Sequence, residues 1–380
     1  LLNDVCFNNK NKLIENFTND YINYISNDFY NAIHFFEKNK MLNELSKLNC
    51  LIENISINIV NYLSSIVDAY NPQRIIRLGD MHGYNKCTVL LESDNRKFIF
   101  KPIQCHFLLL INDLFILFNE FKDFDFYILK KISSDENGVL IEFIENEKIY
   151  DIHKFSYHYG AIIFLLTLLR GTDFHFENIF VVSSTPVLVD FETLFYPNIL
   201  EFKNYDITAT SLLKTNINSH SMMSRYHLNS KMIIKGIGSA YDVVKSNKQF
   251  ITDLIYNYHS KSTRVILKPT SYYFDLLKNS MHPILLINKE RRISYLETSL
   301  IGKKELSLAI MKYEIEDLLS LNIPCFYFQD GELYSSKGKI IKQEIILPSF
   351  DLVINELKNL EQFKKAITDA VISCASFENT

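Results

Sequence analysis

Apolar residues recur at helical spacing through roughly the first 70 positions. Leu13, Ile14, Phe17, Tyr21, Ile22, Tyr24 and Ile25 form one stripe, and Leu51, Ile52, Ile55, Ile59, Val60 and Leu63 another. The pattern changes at Arg74. Cys87 to Leu91 and Lys97 to Phe100 alternate about a Ser93-Asp94-Asn95 turn, which predicts a β-meander. His106 to Phe121 returns to helical period, Phe124 to Leu129 and Gly138 to Ile144 read as strands, and Tyr157 to Leu169 is apolar all round, the mark of a buried helix. Two β-branched runs follow, Ile179 to Val182 and Pro186 to Val189, separated by Ser183, Ser184 and Thr185, a hairpin pattern. Leu352 to Cys374 is helix-like. A β-rich part followed by a helical part predicts an α+β chain of two lobes under an N-terminal helical layer, with a ligand cleft between the lobes. The expected divisions are 1–73 (helical), 74–150 (β-rich lobe), 151–350 (mainly helical lobe) and 351–380 (terminal helix).

Composition narrows the classes of function. The 47% hydrophobic content excludes a disordered chain, and with a net charge of -4 and no Lys/Arg block nothing points to nucleic acid or an anionic membrane as the main partner. Cys6, Cys50, Cys87, Cys105, Cys325 and Cys374 lack C-x-x-C spacing, so reduced, mostly buried thiols are expected rather than disulfides or zinc. The longest uncharged apolar run, Tyr159 to Leu169, is far short of the ~20 residues a spanning helix needs. No signal peptide is expected at Leu1, and a start other than Met leaves a fragment and a natural truncation as the two readings.

Candidate chemistry concentrates in GTDFHFENIFVVSSTPVLVDFETLF, residues 171–195. Asp173, His175 and Asn178 form D-x-H-x-x-N, and Asp190 and Glu192 form D-F-E after the hairpin. Loop caps alone would account for a lone D-x-H-x-x-N. The hairpin, however, returns Asp190 to the side of Asn178. An oxygen-rich set without thiolate suits Mg²⁺ and nucleotide phosphates, and the order Asp, Asn, turn, Asp matches phosphoryl-transfer sites. Lys101 closes an apolar strand before Pro102; it is either a solvated strand-end lysine or a point charge for phosphate. Gly79, Asp80, His82 and Gly83 make a separate polar loop, where function is often carried.

The stretches LGDMH, FIFKP, YHYGAIIFLLTLLRGTDFHFENIF, PVLVDFETLF and TRVILKPTSYY, in that order from about 74 to 328, resemble the N-terminal dehydratase domain of class II lanthipeptide synthetases of the LanM type. The resemblance implies a lipid-kinase-like fold that uses ATP and Mg²⁺ to phosphorylate Ser or Thr of a leader-bearing precursor peptide. The same site would then eliminate phosphate to leave dehydroalanine or dehydrobutyrine. It further implies association with an export transporter and a cytoplasmic setting. Carried over by position, Lys101 would contact ATP, Asp173 and His175 would act with Asn178 in the catalytic loop, and Asn178 and Asp190 would hold metal. Asp80, His82, Arg264 and Thr270 would serve elimination, which needs a base for the α-hydrogen and a cation on the departing phosphate. His82 alone among these has an unperturbed pKa near neutrality. The chain departs from the family at Asn85 and Lys86, where Gly and Arg are usual, at Ile103 in place of Arg, changes expected to weaken anion contacts, and at Asn322 in place of Asp. No counterpart of the family's cyclase domain is expected, and with it thioether ring formation is expected to be absent. A small-molecule or lipid kinase without elimination and a degenerate peptide-binding module are the alternatives.

Overall fold

The computed structural model describes residues 2–121, 123–199, 205–215, 220–301, 305–338, 340–341, 346–347 and 349–376. It is an α+β fold that begins with a helical region, α1 (Leu2–Lys38) and α2 (Leu42–Tyr70). The α2 stripe packs as its period predicts, with Ile55, Ile59, Leu63 and Ile66 almost wholly buried, while Val60 turns outward. In α1, Ile14, Phe17 and Tyr21 are buried, and the side chains of residues 22, 24 and 25 lie outside those described. Helix α2 is long and apolar enough to cross a membrane by composition, which the sequence reading had not marked. Its apolar face is instead buried in a core shared with the sheet. Asn71 ends it in a left-handed conformation with its N–H on the Val67 carbonyl, the usual αL stop.

A five-stranded antiparallel sheet follows, built from β1 (Arg74–Arg77), β2 (Val89–Ser93), β3 (Arg96–Lys101), β4 (Lys131–Ser134) and β5 (Val139–Glu142) in the order β1-β2-β3-β5-β4. Asp94 and Asn95 both take positive φ, the conformation a two-residue hairpin turn demands and these residue types tolerate. Helix α3 (His106–Asn119) shares a core with Val139 and Ile141 of β5. Residues 124–129 join no strand ladder, contrary to the sequence pattern. Phe124 and Phe126 are buried as the alternation requires, but side chains satisfy the backbone there. Asn119 donates to the Phe126 carbonyl (2.8 Å) and accepts from its N–H (2.7 Å), Asn112 donates to the Leu129 carbonyl (2.8 Å), and the Asp125 N–H donates to His158 (3.2 Å). The ladder predicted to run to Ile144 stops at Glu142, whose carboxylate accepts the Lys130 N–H at 2.7 Å.

Helix α4 (Ile152–Leu168) starts earlier than its apolar run because Asp151 caps it, accepting the N–H groups of His153 and Lys154. Every residue from Phe155 to Leu168 is buried. The hairpin β6 (Ile179–Val182) and β7 (Thr185–Leu188) turns on Ser183 and Ser184, both at positive φ. Then come β8 (Asn198–Ile199), α5 (Met222–Arg225), α6 (Ser230–Ser246), α7 (Lys248–Tyr256), β9 (Thr263–Val265), α8 (Thr270–Ser280), α9 (Pro283–Leu286), α10 (Lys289–Leu300) and α11 (Glu305–Leu319). Strands β10 (Phe326–Gln329), β11 (Glu332–Ser335) and β12 (Ile340–Ile341) make a sheet ordered β12-β11-β10-β9, and β13 (Ile346–Leu347) pairs with β8. The helical run at 352–374 divides at Asn359 into α12 (Ser349–Lys358) and α13 (Leu360–Ser376). Among the described cysteines all are free; Cys87 and Cys325 are buried, Cys105 and Cys374 half-buried, and Cys50 is exposed, against the expectation of burial.

Helices α4 and α6 touch backbone to backbone. A Cβ on Gly160 would lie 2.1 Å from the Ile233 carbonyl oxygen, and one on Gly236 would lie 1.9 Å from that of Tyr157. Gly160→Ala and Gly236→Ala must therefore push the helices apart, and each is expected to cost about 1–3 kcal/mol. Gly238, in the same helix, faces open space. There the same change should stabilise by up to about 1 kcal/mol through helix propensity, and thermal melts of the three variants check the contrast.

Candidate active site

The hairpin sets the site. The Val189 N–H donates to the Asn178 carbonyl at 3.1 Å, which closes β6 and β7 and delivers Asp190 beside the loop of Asp173 to Asn178. That loop is held from inside: Asn178 Nδ2 donates to the Asp173 carbonyl (2.8 Å), and Phe174 N–H donates to the Thr210 carbonyl (2.9 Å). Asp173 sits at φ 65°, a left-handed conformation uncommon outside glycine and found where surrounding contacts over-determine it. His175 Nε2 lies 3.7 Å from Asp173 Oδ1. From the five-stranded sheet, the end of β3 brings Lys101 Nζ to 3.4 Å from Asp190 Oδ1. So Lys101, whose sequence context left solvated and phosphate-facing readings open, is largely buried against a carboxylate.

Strand β9 ties Arg264 to the same place. Its N–H donates to the Glu192 carbonyl at 2.7 Å, and its guanidinium lies 3.8 Å from Glu192 Oε2. Burial opposes the Arg264 charge, but Cys325, Glu192, Tyr327 and Asp190 outweigh it and hold its pKa above the ordinary value. Burial likewise works against the Asp190 carboxylate, and Lys101 and Arg264 reverse the effect, keeping it below the usual range. Glu192 and Asp173 go the other way. Burial, with Asp190 adding repulsion, raises both.

The Asp80–His82 loop enters from another side and is clamped to the segment after α11. Ile323 N–H donates to the Met81 carbonyl (2.9 Å), and His82 Nδ1 lies 3.2 Å from the Ile323 carbonyl oxygen. A carbonyl only accepts, so Nδ1 carries the proton and Nε2 keeps its lone pair. Burial, aided by Arg264, lowers the His82 pKa to about 3. Its unperturbed value near neutrality is thus displaced in the direction that favours the neutral imidazole. Asn85 takes φ 57°, a conformation Asn shares with the Gly usual there, and is wholly buried. Its N–H donates to Asn322 Oδ1 at 3.0 Å, so Asn85 and Asn322 brace this loop rather than contact an anion. Lys86 and Ile103 do line the cavity.

These elements enclose a cleft of about 830 Å³ lined by Asp80, His82, Asp173, His175, Asn178, Asp190, Glu192, Arg264 and Thr270, the last at the first turn of α8. The size suits a nucleotide-sized ligand. Lys101 lies behind the wall on Asp190. Sequence reasoning did not single out Cys325, Tyr327, Ser336 or Lys337, which also line it. The alternation in Cys325-Phe326-Tyr327-Phe328 carried a usable signal, because Phe326 and Phe328 fill a small core while their neighbours turn to the cleft. Tyr327 is the cross-strand partner of Arg264.

Asp190 Oδ1 is buried with no close hydrogen bond, its neighbour being Lys101 Nζ at 3.4 Å, so it keeps acceptor capacity for a metal cation. Asn178, its Nδ2 spent on Asp173, retains an amide oxygen as a second ligand. Among the described residues no three His, Cys, Asp or Glu side chains are grouped to hold a metal by themselves. Two oxygen donors beside a phosphate-sized space fit Mg²⁺, which takes its remaining ligands from water and phosphate.

Residues 73–229 and 216–329 match the family described as Domain of unknown function (DUF4135). The chain is also 24% identical over 356 residues to the lacticin 481/lactococcin biosynthesis protein LcnDR2 of Lactococcus lactis subsp. lactis, a match covering 71% of this chain. It spans 37% of that relative's length.

Proposed function

Because the chain belongs to the DUF4135 family, whose match takes in every residue of the cleft named from the sequence, we propose that it matures a lanthipeptide precursor as a dehydratase. The reading has it phosphorylate Ser or Thr of the peptide and then eliminate the phosphate. What supports it is one observation: two chemically distinct sets share one cavity. Asp173, Asn178 and Asp190 form one, and His82, Arg264 and Thr270 the other. A kinase that released its phosphorylated product would have no use for the second.

ATP with Mg²⁺, when bound, would supply the γ-phosphoryl group and leave as ADP, the cation offsetting charge on the phosphates. Asp173 receives the proton of the peptide hydroxyl, Asn178 and Asp190 supply oxygens to the cation, and Lys101, leaving Asp190, meets phosphate oxygen. In the second step His82 Nε2 takes the α-hydrogen. The C–H electron pair forms the Cα=Cβ bond, the Cβ–O bond breaks, and phosphate leaves against Arg264. The negative phosphate counteracts the depression of the His82 pKa, which makes the imidazole a better base once the phosphorylated residue is present. Thr270 is a hydroxyl donor for the same leaving group.

Mass spectrometry of a precursor peptide incubated with the protein, ATP and Mg²⁺ is the test. Loss of one water per modified residue is expected; phosphate gain that never converts to water loss would point to an ordinary kinase, and an unchanged peptide would reject both.

A further inference from the structure

The turn Ser336–Gly338, between β11 and β12, is built into the cleft. A Cβ on Gly83 would lie 2.9 Å from the Ser336 carbonyl oxygen, so this turn and the Asp80–His82 loop pack backbone on backbone. From behind, Ser336 Oγ lies 2.8 and 2.7 Å from the two carboxylate oxygens of Asp317 in α11, which is 1% exposed. Lys337 comes next and lines the same cleft as His82, Arg264 and Thr270. Its ammonium pairs with Asp317 Oδ1 at 3.9 Å, a long ion pair without a hydrogen bond, and the residue also lines the neighbouring pocket beside Arg292 and Glu316. Burial pushes the Asp317 carboxyl up to about 6, so this loose contact with Lys337 leaves the burial incompletely offset.

The charge in the cleft calls for such a group. Asp80, Asp173, Glu177, Asp190 and Glu192 line it, and Arg264 is already committed to Glu192 and Asp190. A phosphorylated Ser or Thr brings nearly two further negative charges at neutral pH. Beside Arg264, Lys86 and Lys337 are the lysines among the lining residues that can meet that dianion.

We propose that Lys337 is a second phosphate-binding residue, a catalytic cation that recognises the phosphorylated Ser or Thr beside Arg264 and remains on the phosphate as it departs. The proposal rests on the dehydratase reading for its substrate. Its structural seat is the Asp317–Ser336 anchor, which fixes the turn at the cleft wall, and to meet phosphate the ammonium exchanges its long contact with Asp317 for the ligand.

The test is binding of a fluorescein-labelled phosphoserine peptide and of its serine counterpart, without ATP and with EDTA present. The unmodified chain should prefer the phosphoserine form. Lys337→Ala should erase about tenfold or more of that preference, Lys337→Arg should keep most of it, and affinity for the serine peptide should be the same in all three. Absence of any preference in the unmodified chain overturns the proposal, as does preference retained in Lys337→Ala. Equal loss for both peptides with a lowered melting temperature also overturns it, in favour of a structural role on Asp317. The two readings fail separately. Lys337-dependent preference in a chain that never dehydrates peptide with ATP sinks the dehydratase alone, whereas normal dehydration without such preference sinks only the role of Lys337.

Discussion

Asp190→Asn is expected to lower ATP-dependent phosphorylation of the peptide by a hundredfold or more, roughly the loss seen when one preorganised charge-stabilising group is removed from an active site. The substitution keeps volume and removes a negative charge from the oxygen set. It also removes the repulsion that helps hold Glu192 above its ordinary pKa, an offset against the lost contact with Lys101. Folding should therefore change little. A melting temperature near that of the unmodified protein, together with collapsed transfer measured by mass, is the expected pair of results. Full activity in Asp190→Asn, or in EDTA, would reject the metal assignment, while zinc should be dispensable throughout.

The acidic loops were legible because their spacing brackets a hairpin. Two β-branched runs around Ser183-Ser184 fix the return of the chain, and once it returns, Asp190 can only stand near Asn178. The β-meander and the helix around Phe155–Leu168 were legible for the same reason, since period and length agreed there. The segment 124–129 was not, because alternation reports burial and says nothing of what satisfies the backbone. Asn112, Asn119 and His158 do the work of a neighbouring strand, and they lie 7 to 33 positions away. Nor could the sequence show the state of His82. Its pKa depends on burial under the Ile323 segment, 241 positions distant, and on a guanidinium from β9. Read one at a time, the departure at Asn85 looked like a weakened anion contact and that at Asn322 like a lost carboxylate, but the two residues share one hydrogen bond.

Arg264→Ala should separate the two chemical steps. On the proposed reading, phosphorylation would depend on Asp173, Asn178, Asp190 and Lys101, whereas departure of the phosphate would depend on a cation at the leaving oxygen, so the variant is expected to phosphorylate the peptide and stall. Phosphopeptide should accumulate, with elimination slowed by about a hundredfold or more. The structure adds a complication that decides the controls. Arg264 is the countercharge of Glu192 and acts on Asp190 as well, so its removal leaves buried carboxylates unpaired, and removing one partner of a buried pair costs about 3–5 kcal/mol. A stalled reaction could then reflect a collapsed site. Arg264→Lys separates these causes, because it keeps the positive charge beside Glu192 while losing the planar fork that grips two phosphate oxygens at once. The expected order of elimination rates is unmodified, then Lys, then Ala, with phosphorylation retained in the Lys variant. Water loss at the unmodified rate in Arg264→Ala would remove Arg264 from elimination. Absence of phosphorylation in Arg264→Lys, with the fold intact by circular dichroism, would move it into the first step.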